Sequence, residues 1–363
     1  MASEEEQLKQ IRQDIDALDE QIQALVSRRA QCAVEVARIK RASNPEPGDF
    51  YRPEREAEVL RQVKRRNRGP LEDETVVRLF RQLMSDCLAL QQPLSIAYLG
   101  PEGTYTHAAV RKQFGEAVTA SPHAAIDEVF RAVESGSAAY GVVPIENSTE
   151  GVVNHTLDMF LHSPLNICGE VSLRIHHHLV SSVSSLDAVK QVFGHSQSMA
   201  QCREWLDSNL PNAKRVHVYS NAEAARLAAE TPHAAATASE TAAEIYGLRS
   251  IASNIEDDPN NTTRFFVLGR QRVEPSGKDK TSLLLSAPNK SGALYEMLSP
   301  IASSGISMTR IESRPSRKTA WDYVFFVDLE GHQNDAVVAQ AIGELEENRF
   351  LIRVLGSYPV SVF

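Results

Sequence analysis

From about residue 4 to residue 41 the chain contains neither glycine nor proline. Along that stretch Leu8, Ile11, Ile15, Leu18, Ile22, Leu25 and Val26 recur at helical spacing, with charged residues between them. A single helix of roughly 38 residues is about 57 Å long, more than one small domain can cover. Such a helix must lie against a second chain or project. It is expected to stop at SNPEPG (43–48), a run of helix breakers, and to be followed by helices near 54–66 and 72–91.

The cations on the first helix restrict what it can hold. Arg29 and Lys40 are separated by almost three whole turns and share a face. Arg12 precedes Arg29 by roughly 26 Å along the axis and lies on another side. One chain cannot bring Arg12 and Arg29 to the same small ligand, but two antiparallel chains can. On composition alone, solvated helix arginines remain the simpler account.

The segments IRQDIDALDEQIQALVSRRAQCAVEVARIK (11–40), RPEREAEVL (52–60) and LFRQLMSDCLALQQ (79–92) closely resemble the all-helical chorismate mutase family. The resemblance implies that the partner's Arg12 and Arg29 hold the two carboxylates of chorismate. Lys40 and Gln91 would then donate to the ether oxygen, Arg55 would line the pocket and Glu56 would bind the ring hydroxyl. Cys87 stands where some relatives carry serine in contact with a carboxylate, and Arg52 where others carry an acid. Those residue types suit the reaction. A Claisen rearrangement needs no nucleophile, only a compact conformer held in place and donors aimed at the oxygen that gains charge. Arginine forks clamp planar carboxylates for that purpose.

At 363 residues and a formal charge of −9 the chain has room for two or three domains. Residues 1–92 carry 16 Lys and Arg against 17 Asp and Glu, and the remainder 22 against 30. No part is strongly basic, which argues against nucleic acid. The charged first 30 residues do not read as a secretory signal, and no apolar run reaches membrane-span length. Cys32, Cys87, Cys168 and Cys202 are scattered without CxxC spacing, as reduced thiols of a cytoplasmic protein would be.

After residue 92 strands and helices alternate. Strands near 95–99, 141–145 and 189–193 run into the polar loops GPEGTYT (100–106), ENSTEG (146–151) and GHSQ (194–197), each opening a helix. A fourth polar loop, NNTTR (260–264), feeds the apolar run Phe265, Phe266, Val267 and Leu268, which reads as a buried strand. Each loop alone is a turn with caps. Four together, rich in Asn, Gln, Thr, Ser and His, favour a crevice for a small anion. The glycine loop lacks GxGxxG and a P-loop lysine, so no nucleotide site is expected.

These loops, as LGPEGTYTHAAV, GVVPIENSTEGVVNHTLDMF, FGHSQSMAQC and NNTTRFFVLG, are similar to the prephenate dehydratase family over about 94–270. The resemblance implies an α/β fold like a two-lobed periplasmic binding protein, with lobes at 94–172 plus 250–270 and at 173–249. It makes Thr263 the catalytic hydroxyl, and has Arg264 pair with a substrate carboxylate or buttress the loop. Asn147, Ser148 and Gln201 would complete the pocket. Gly194 and Ser196 depart from the commoner Ser and Pro beside the family's histidine. Prephenate gives phenylpyruvate by losing its ring hydroxyl and ring carboxylate. Threonine is a feeble acid, so it serves only as a donor or relay while aromatisation supplies most of the drive.

His176, His177 and His178 invite a metal reading. On a strand only the outer two share a face, and no Cys or carboxylate lies at ligand spacing, so a packed or exposed trio is expected and no metal. His195 is as much a loop contact as a base. Residues 221–230 and AAATA (234–238) read as packing.

Beyond a linker at 270–280, elements near 281–286, 292–303, 307–313, 321–329, 335–346 and 352–355 run strand, helix, strand, strand, helix, strand, the order of a ferredoxin-like α+β sandwich. NKSGALYEML (289–298) and RIESRPSRK (310–318) resemble the ACT amino-acid-binding domain. The resemblance implies feedback by L-phenylalanine, with Gly292, Ala293 and Leu294 near the effector and Glu312, Ser313, Arg314 and Pro315 supporting a dimeric pocket. Order alone fits a dimerisation module equally well.

The expectation is a multidomain, bifunctional enzyme: a helical mutase unit (1–92), a dehydratase unit (94–270) and an ACT unit (281–363). It would form a homodimer or larger homo-oligomer, without metal or organic cofactor. The alternatives are a dehydratase with a non-catalytic helical arm, or a non-catalytic amino-acid sensor.

Overall fold

The computed structural model describes residues 3–43, 50–287, 290–315, 323–347 and 350–362. The expected stop at 44–48, Asn289, residues 316–318 and Trp321 lie outside the described residues.

Helix α1 (Glu4–Ser43) is continuous over 40 residues, with Glu4, Glu5 and Glu6 in its first turn and Lys40 and Arg41 in its last. Acid at the start and base at the end both oppose the helix dipole. Helix α2 (Pro53–Arg66) opens on a proline, which costs nothing in a first turn where the missing N–H has no partner. Helix α3 (Asp73–Ala89) packs on α2 and on α1. Within α1 only Ala33 and Ala37 are buried, while Leu8, Ile11, Ile15, Leu18, Ile22 and Leu25 are each about half exposed. The apolar stripe that makes this helix amphipathic is therefore uncovered along most of its length in a single chain.

The middle of the chain runs β1 (Ser95–Leu99), α4 (Tyr105–Phe114), β2 (Thr119–His123), α5 (Ile126–Glu134), β3 (Tyr140–Asn147), β4 (Gly151–Val152), α6 (Asn154–Phe160) and β5 (Asn166–Arg174). It crosses to β6 (His178–Ser181), β7 (Gln191–His195), α7 (Ser196–Gln201), α8 (Arg203–Asn209), β8 (Lys214–Val218), α9 (Asn221–Glu230), β9 (Ala234–Ala238), α10 (Glu240–Ile245) and β10 (Arg249–Ala252), and returns in β11 (Thr262–Gly269). Two sheets result. The first has the order β2-β1-β3-β11-β5 with β4 paired to β3; the second has the order β10-β6-β9-β7-β8. The sequence reading is corrected at the lobe limits. Residues 250–252 belong to the second sheet, because β10 pairs antiparallel with β6 before the chain crosses back. Likewise β5 keeps its pairing with β11 through Arg174, beyond the expected limit at 172.

β11 is an interior strand of the first sheet. It lies antiparallel between β3 and β5, and Phe265 to Leu268 are buried. Phe265 and Val267 join a core with Tyr98 and Tyr140, and Phe266 and Leu268 join the opposite core with Phe130 and Phe160. A strand buried on both faces reads as an unbroken apolar run, as this one does.

The C-terminal unit runs β12 (Asp279–Ala287), α11 (Ala293–Ser303), β13 (Met308–Pro315), β14 (Tyr323–Glu330), α12 (Ala336–Glu347) and β15 (Leu351–Pro359), with sheet order β13-β14-β12-β15. One face of this sheet packs on its own helices through Leu283, Leu285, Met297, Val327 and Leu345. The other face contributes Val324, Phe326, Leu355 and Tyr358 to the same core as Phe160 and Phe266. The C-terminal unit and the first lobe thus share one continuous interior.

Candidate functional site

Thr263 is the second residue of β11, paired in register with Asn147 at the end of β3. It opens onto a cleft of about 500 Å³ between the two sheets, which Asn147, Gln201, His177, Tyr105 and Asn261 also line. The Asn147 side chain is oriented by backbone, since its Oδ1 accepts the N–H groups of Thr149 and Glu150, both at 3.0 Å. Its Nδ2 therefore donates, to Thr263 Oγ1 and to Asn261 Oδ1, each at 2.8 Å. Thr263 Oγ1 is thereby an acceptor, and its own O–H is left to donate. This is the arrangement a hydroxyl needs to act as a hydrogen-bond donor to a ligand.

The network continues into the second lobe. Asn261 Nδ2 donates to Gln201 Oε1 at 3.1 Å, and His177 Nε2 lies 2.9 Å from the same oxygen. His177 Nδ1 lies 2.8 Å from Tyr105 Oη. His177 is only 1% exposed, and burial pushes its pKa below the usual histidine value. Glu256 fixes the crossover that carries it, bonding the His177 N–H at 2.9 Å and the His176 ring at 2.8 Å. Burial would raise the Glu256 carboxyl, but those bonds outweigh it and hold the group below the ordinary carboxylate range.

Of the histidine trio only His178 sits on a strand, as the first residue of β6. Residues 175–177 form the link between β5 and β6, and His177 points into the cleft between Tyr105 and Gln201. Sequence reasoning missed His177, Tyr105 and Asn261. The last two lay inside motifs already singled out, and nothing local in the sequence marked His177. Among the described residues no group of His, Cys, Asp and Glu is placed to hold a metal ion.

Ser148 acts at the rim. Its Oγ accepts the Thr262 N–H at 3.0 Å, and its N–H donates to the Thr262 carbonyl at 2.9 Å, which clamps the mouth of β11. His195 lines the cleft, with its N–H donated to Asn221 Oδ1 at 3.1 Å. At Gly194 an added Cβ would clash with Thr237 Oγ1.

Arg264 departs from the expected contact with substrate. Because successive strand residues face opposite ways, it leaves the cleft to Thr263 and turns toward the C-terminal sheet. There it meets Glu146 at 3.2 Å and Glu170 and Asp328 at 3.1 Å. Burial alone would lower its pKa, but Glu170 and Asp328 more than offset this and raise it. Lys280 adds a bond to Glu170 at 2.8 Å. The buttressing alternative describes this geometry.

Arg314 also points at the first lobe, pairing with Asp158 at 2.7 Å and Asn154 at 2.8 Å on α6. Gly292 caps α11 in the left-handed region (φ 81°), which suits glycine. Ala293 beside it is buried and Leu294 is exposed. Glu312 is half-buried, while Ser313 and Pro315 are exposed.

In the helical unit the expected set is partly rearranged. Arg29 donates to the Leu83 carbonyl at 3.3 Å. Cys87 is buried and the Gln91 carbonyl accepts from Arg41. Lys40 lies 4.8 Å over the Phe50 ring; burial lowers its pKa, Arg52 lowers it further and Glu54 opposes them. Arg52 and Glu54, joined at 2.6 Å, are thus the groups beside Lys40. Arg55 and Glu56 have other partners. Arg55 pairs with Glu58 on the outer surface, and Glu56 turns to Arg81 at 3.6 Å. The reason is helical phase. The inner face of α2 is built by Pro53, Glu54, Ala57 and Leu60, and a step of two residues turns about 200° around the axis. Arg12 lies on the exposed N-terminal half of α1.

Comparison with known proteins accords with this division. Residues 11–92 match chorismate mutase type II, residues 96–273 match prephenate dehydratase and residues 281–347 match the ACT domain. A bifunctional chorismate mutase/prephenate dehydratase of Stutzerimonas stutzeri is 53% identical, covering 99% of this chain and 100% of the relative. Among solved structures, a prephenate dehydratase of Arthrobacter aurescens in complex with L-Phe is similar (TM-score 0.67, 36% identity, 73% of this chain and 90% of that one). So is a protein described as a novel type of quorum-quenching acylase (TM-score 0.69, 31% identity, 74% of this chain and 98% of that one). The identity extends through all three units, and the chain belongs to the family of bifunctional chorismate mutase/prephenate dehydratases.

Proposed function

We propose that the two reactions of this family run at separate places in the chain, and that Thr263 supplies the donor for the second. The working units are 1–92, 94–270 and 281–363. In the cleft, the bond from ring to carboxylate breaks and CO2 leaves. Its electron pair completes the aromatic ring and expels the ring hydroxyl, which leaves as water once it gains a proton. Thr263 O–H faces that leaving oxygen as donor and relay. The Gln201 amide, its oxygen already occupied, offers N–H to the anionic substrate. The observation that carries this reading is the Asn147-to-Thr263 bond, which commits the threonine oxygen as acceptor and frees its proton.

For the first reaction, the assignment is Arg29, Lys40, Arg52 and Glu54 from one chain with the partner's Arg12. It requires a homodimer, and the uncovered apolar stripe of α1 is the surface that would form one. Lys40 and Gln91 serve the ether oxygen and Cys87 borders the carboxylate. Among the described residues no disulfide joins the cysteines and no helix is long and apolar enough to cross a membrane; the location assigned to the chain is the cytoplasm.

Feedback is assigned to L-phenylalanine at the ACT unit, by likeness to the L-Phe complex of the Arthrobacter relative. Deleting the unit is a poor test, because it would strip Phe326, Leu355 and Tyr358 from a core shared with the dehydratase lobe. The better test is a coupled assay on the full chain. It follows chorismate loss and phenylpyruvate gain with and without L-phenylalanine. Both rates should be measurable, and the second should fall with effector. Ligand binding without turnover would instead make the chain a sensor.

A further inference from the structure

We propose that His177 is a positioning residue for the dehydratase reaction, acting through Gln201. The inference rests on the reading of the cleft as the dehydratase site, and it adds a group which that reading does not use.

The orientation of each side chain follows from the one before. The Thr149 and Glu150 N–H groups require an acceptor, so Asn147 presents Oδ1 to them and Nδ2 to Asn261. Asn261 therefore receives on Oδ1 and donates through Nδ2 to Gln201, whose atom there must be Oε1. His177 approaches that same oxygen through Nε2 at 2.9 Å, so Nε2 must carry the proton. Tyr105 Oη lies 2.8 Å from Nδ1, behind the ring, and 2.8 Å from the His176 carbonyl, so its one proton is shared between two acceptors. Six side chains from three parts of the fold thus form one directed network, with Thr263 at one end and Tyr105 at the other.

The consequence falls on Gln201. Two donors, Asn261 and His177, hold its oxygen inward, and its NH2 group is the part left for a ligand. With only Asn261 holding the oxygen, the amide could swing or flip, and a flipped amide would aim an oxygen at an anion. The imidazole is neutral and buried, so it is suited to fix a neighbour without bringing charge of its own. Its removal should therefore be felt as the loss of a correctly aimed Gln201 donor.

The test is a double-substitution cycle on the full-length protein, reading kcat and KM for prephenate. His177→Leu and Gln201→Ala should each lower kcat/KM by about tenfold, the effect of one misplaced hydrogen bond to an anion. The double variant should be little worse than the poorer single one. His177→Gln, which returns an N–H near the Nε2 position, should recover most of the loss. His177→Asn, whose amide stops near Nδ1, should not. That pair has the same polarity and decides the matter even if the leucine variant fails to fold. Independent, multiplying effects of His177→Leu and Gln201→Ala would overturn the inference, as would equal activity of the Gln and Asn variants. Gln201→Ala with unchanged kinetics would overturn the reading of the cleft itself.

Discussion

Thr263 and Arg264 are consecutive on β11, yet one accepts a bond from Asn147 in the cleft while the other joins Glu146, Glu170 and Asp328 on the far side. The alternation of a strand thus makes one dipeptide face both the cleft and the C-terminal unit. Asp328 lies on β14 and also accepts from Ser282 Oγ at 2.6 Å, so the contact reaches the centre of the regulatory sheet. Phe266, two residues further on, packs against Tyr358 with ring centroids 5.9 Å apart. That sheet and the strand bearing Thr263 are thus joined by side chains in direct contact.

Asp328→Asn keeps the shape of this contact but removes one charge. It should weaken inhibition by L-phenylalanine by about tenfold, within the usual range of coupling energies, while dehydratase turnover without effector changes little. Arg264→Ala is more severe, because it leaves the buried Asp328 without its counter-ion and Glu170 with Lys280 alone. It should cost about 3–5 kcal/mol of stability, measured by denaturant unfolding of the full chain.

The helical unit offers a direct comparison between neighbours on α2. Glu54→Ala should lower mutase kcat by about a hundredfold, as removal of a positioned polar group from such a site does. Arg55→Ala, on the exposed face beside Glu58, should stay within about twofold of the parent. Steady-state chorismate consumption distinguishes them. The reverse order would restore the assignment first drawn from sequence.

Glu56 gives the stability a pH dependence. Burial raises its carboxyl to about 7, and Arg81 opposes that shift without cancelling it. A carboxyl whose pKa is higher folded than unfolded favours the folded state while protonated. Its stabilising effect is full below about 4.5, declines as pH rises toward 7 and is lost above that. The change is on the order of 3 kcal/mol at 1.36 kcal/mol per unit. Unfolding midpoints measured from pH 5 to 8 should fall in the parent, and Glu56→Gln should remove that part of the slope.

Much of this could be read in the chain before its structure was known. The length of α1 and its need for a partner surface followed from periodicity and the lack of breakers. The order of elements at 281–355 followed from alternation and turn residues. The convergence of Asn147, Gln201 and Thr263 was implied by family motifs, and the cleft brings them together. What could not be read was phase and crossing point. Glu54 and Glu56 are equally acidic in sequence, and only helix packing decides which faces Lys40. His177 looked like one member of a strand because nothing local marks 175–177 as the link between lobes. One partner of Arg264, Asp328, lies 64 residues away on another unit, beyond the reach of any local pattern.

The most direct test of the account is Thr263→Ala, assayed on one preparation for both chorismate loss and phenylpyruvate formation. Chorismate consumption should continue at the parent rate and prephenate should accumulate. Phenylpyruvate formation should fall by about 10²- to 10³-fold, with Thr263→Ser retaining part of it. Unchanged phenylpyruvate formation, or the loss of both activities together with the fold, would contradict a hydroxyl donor at this position.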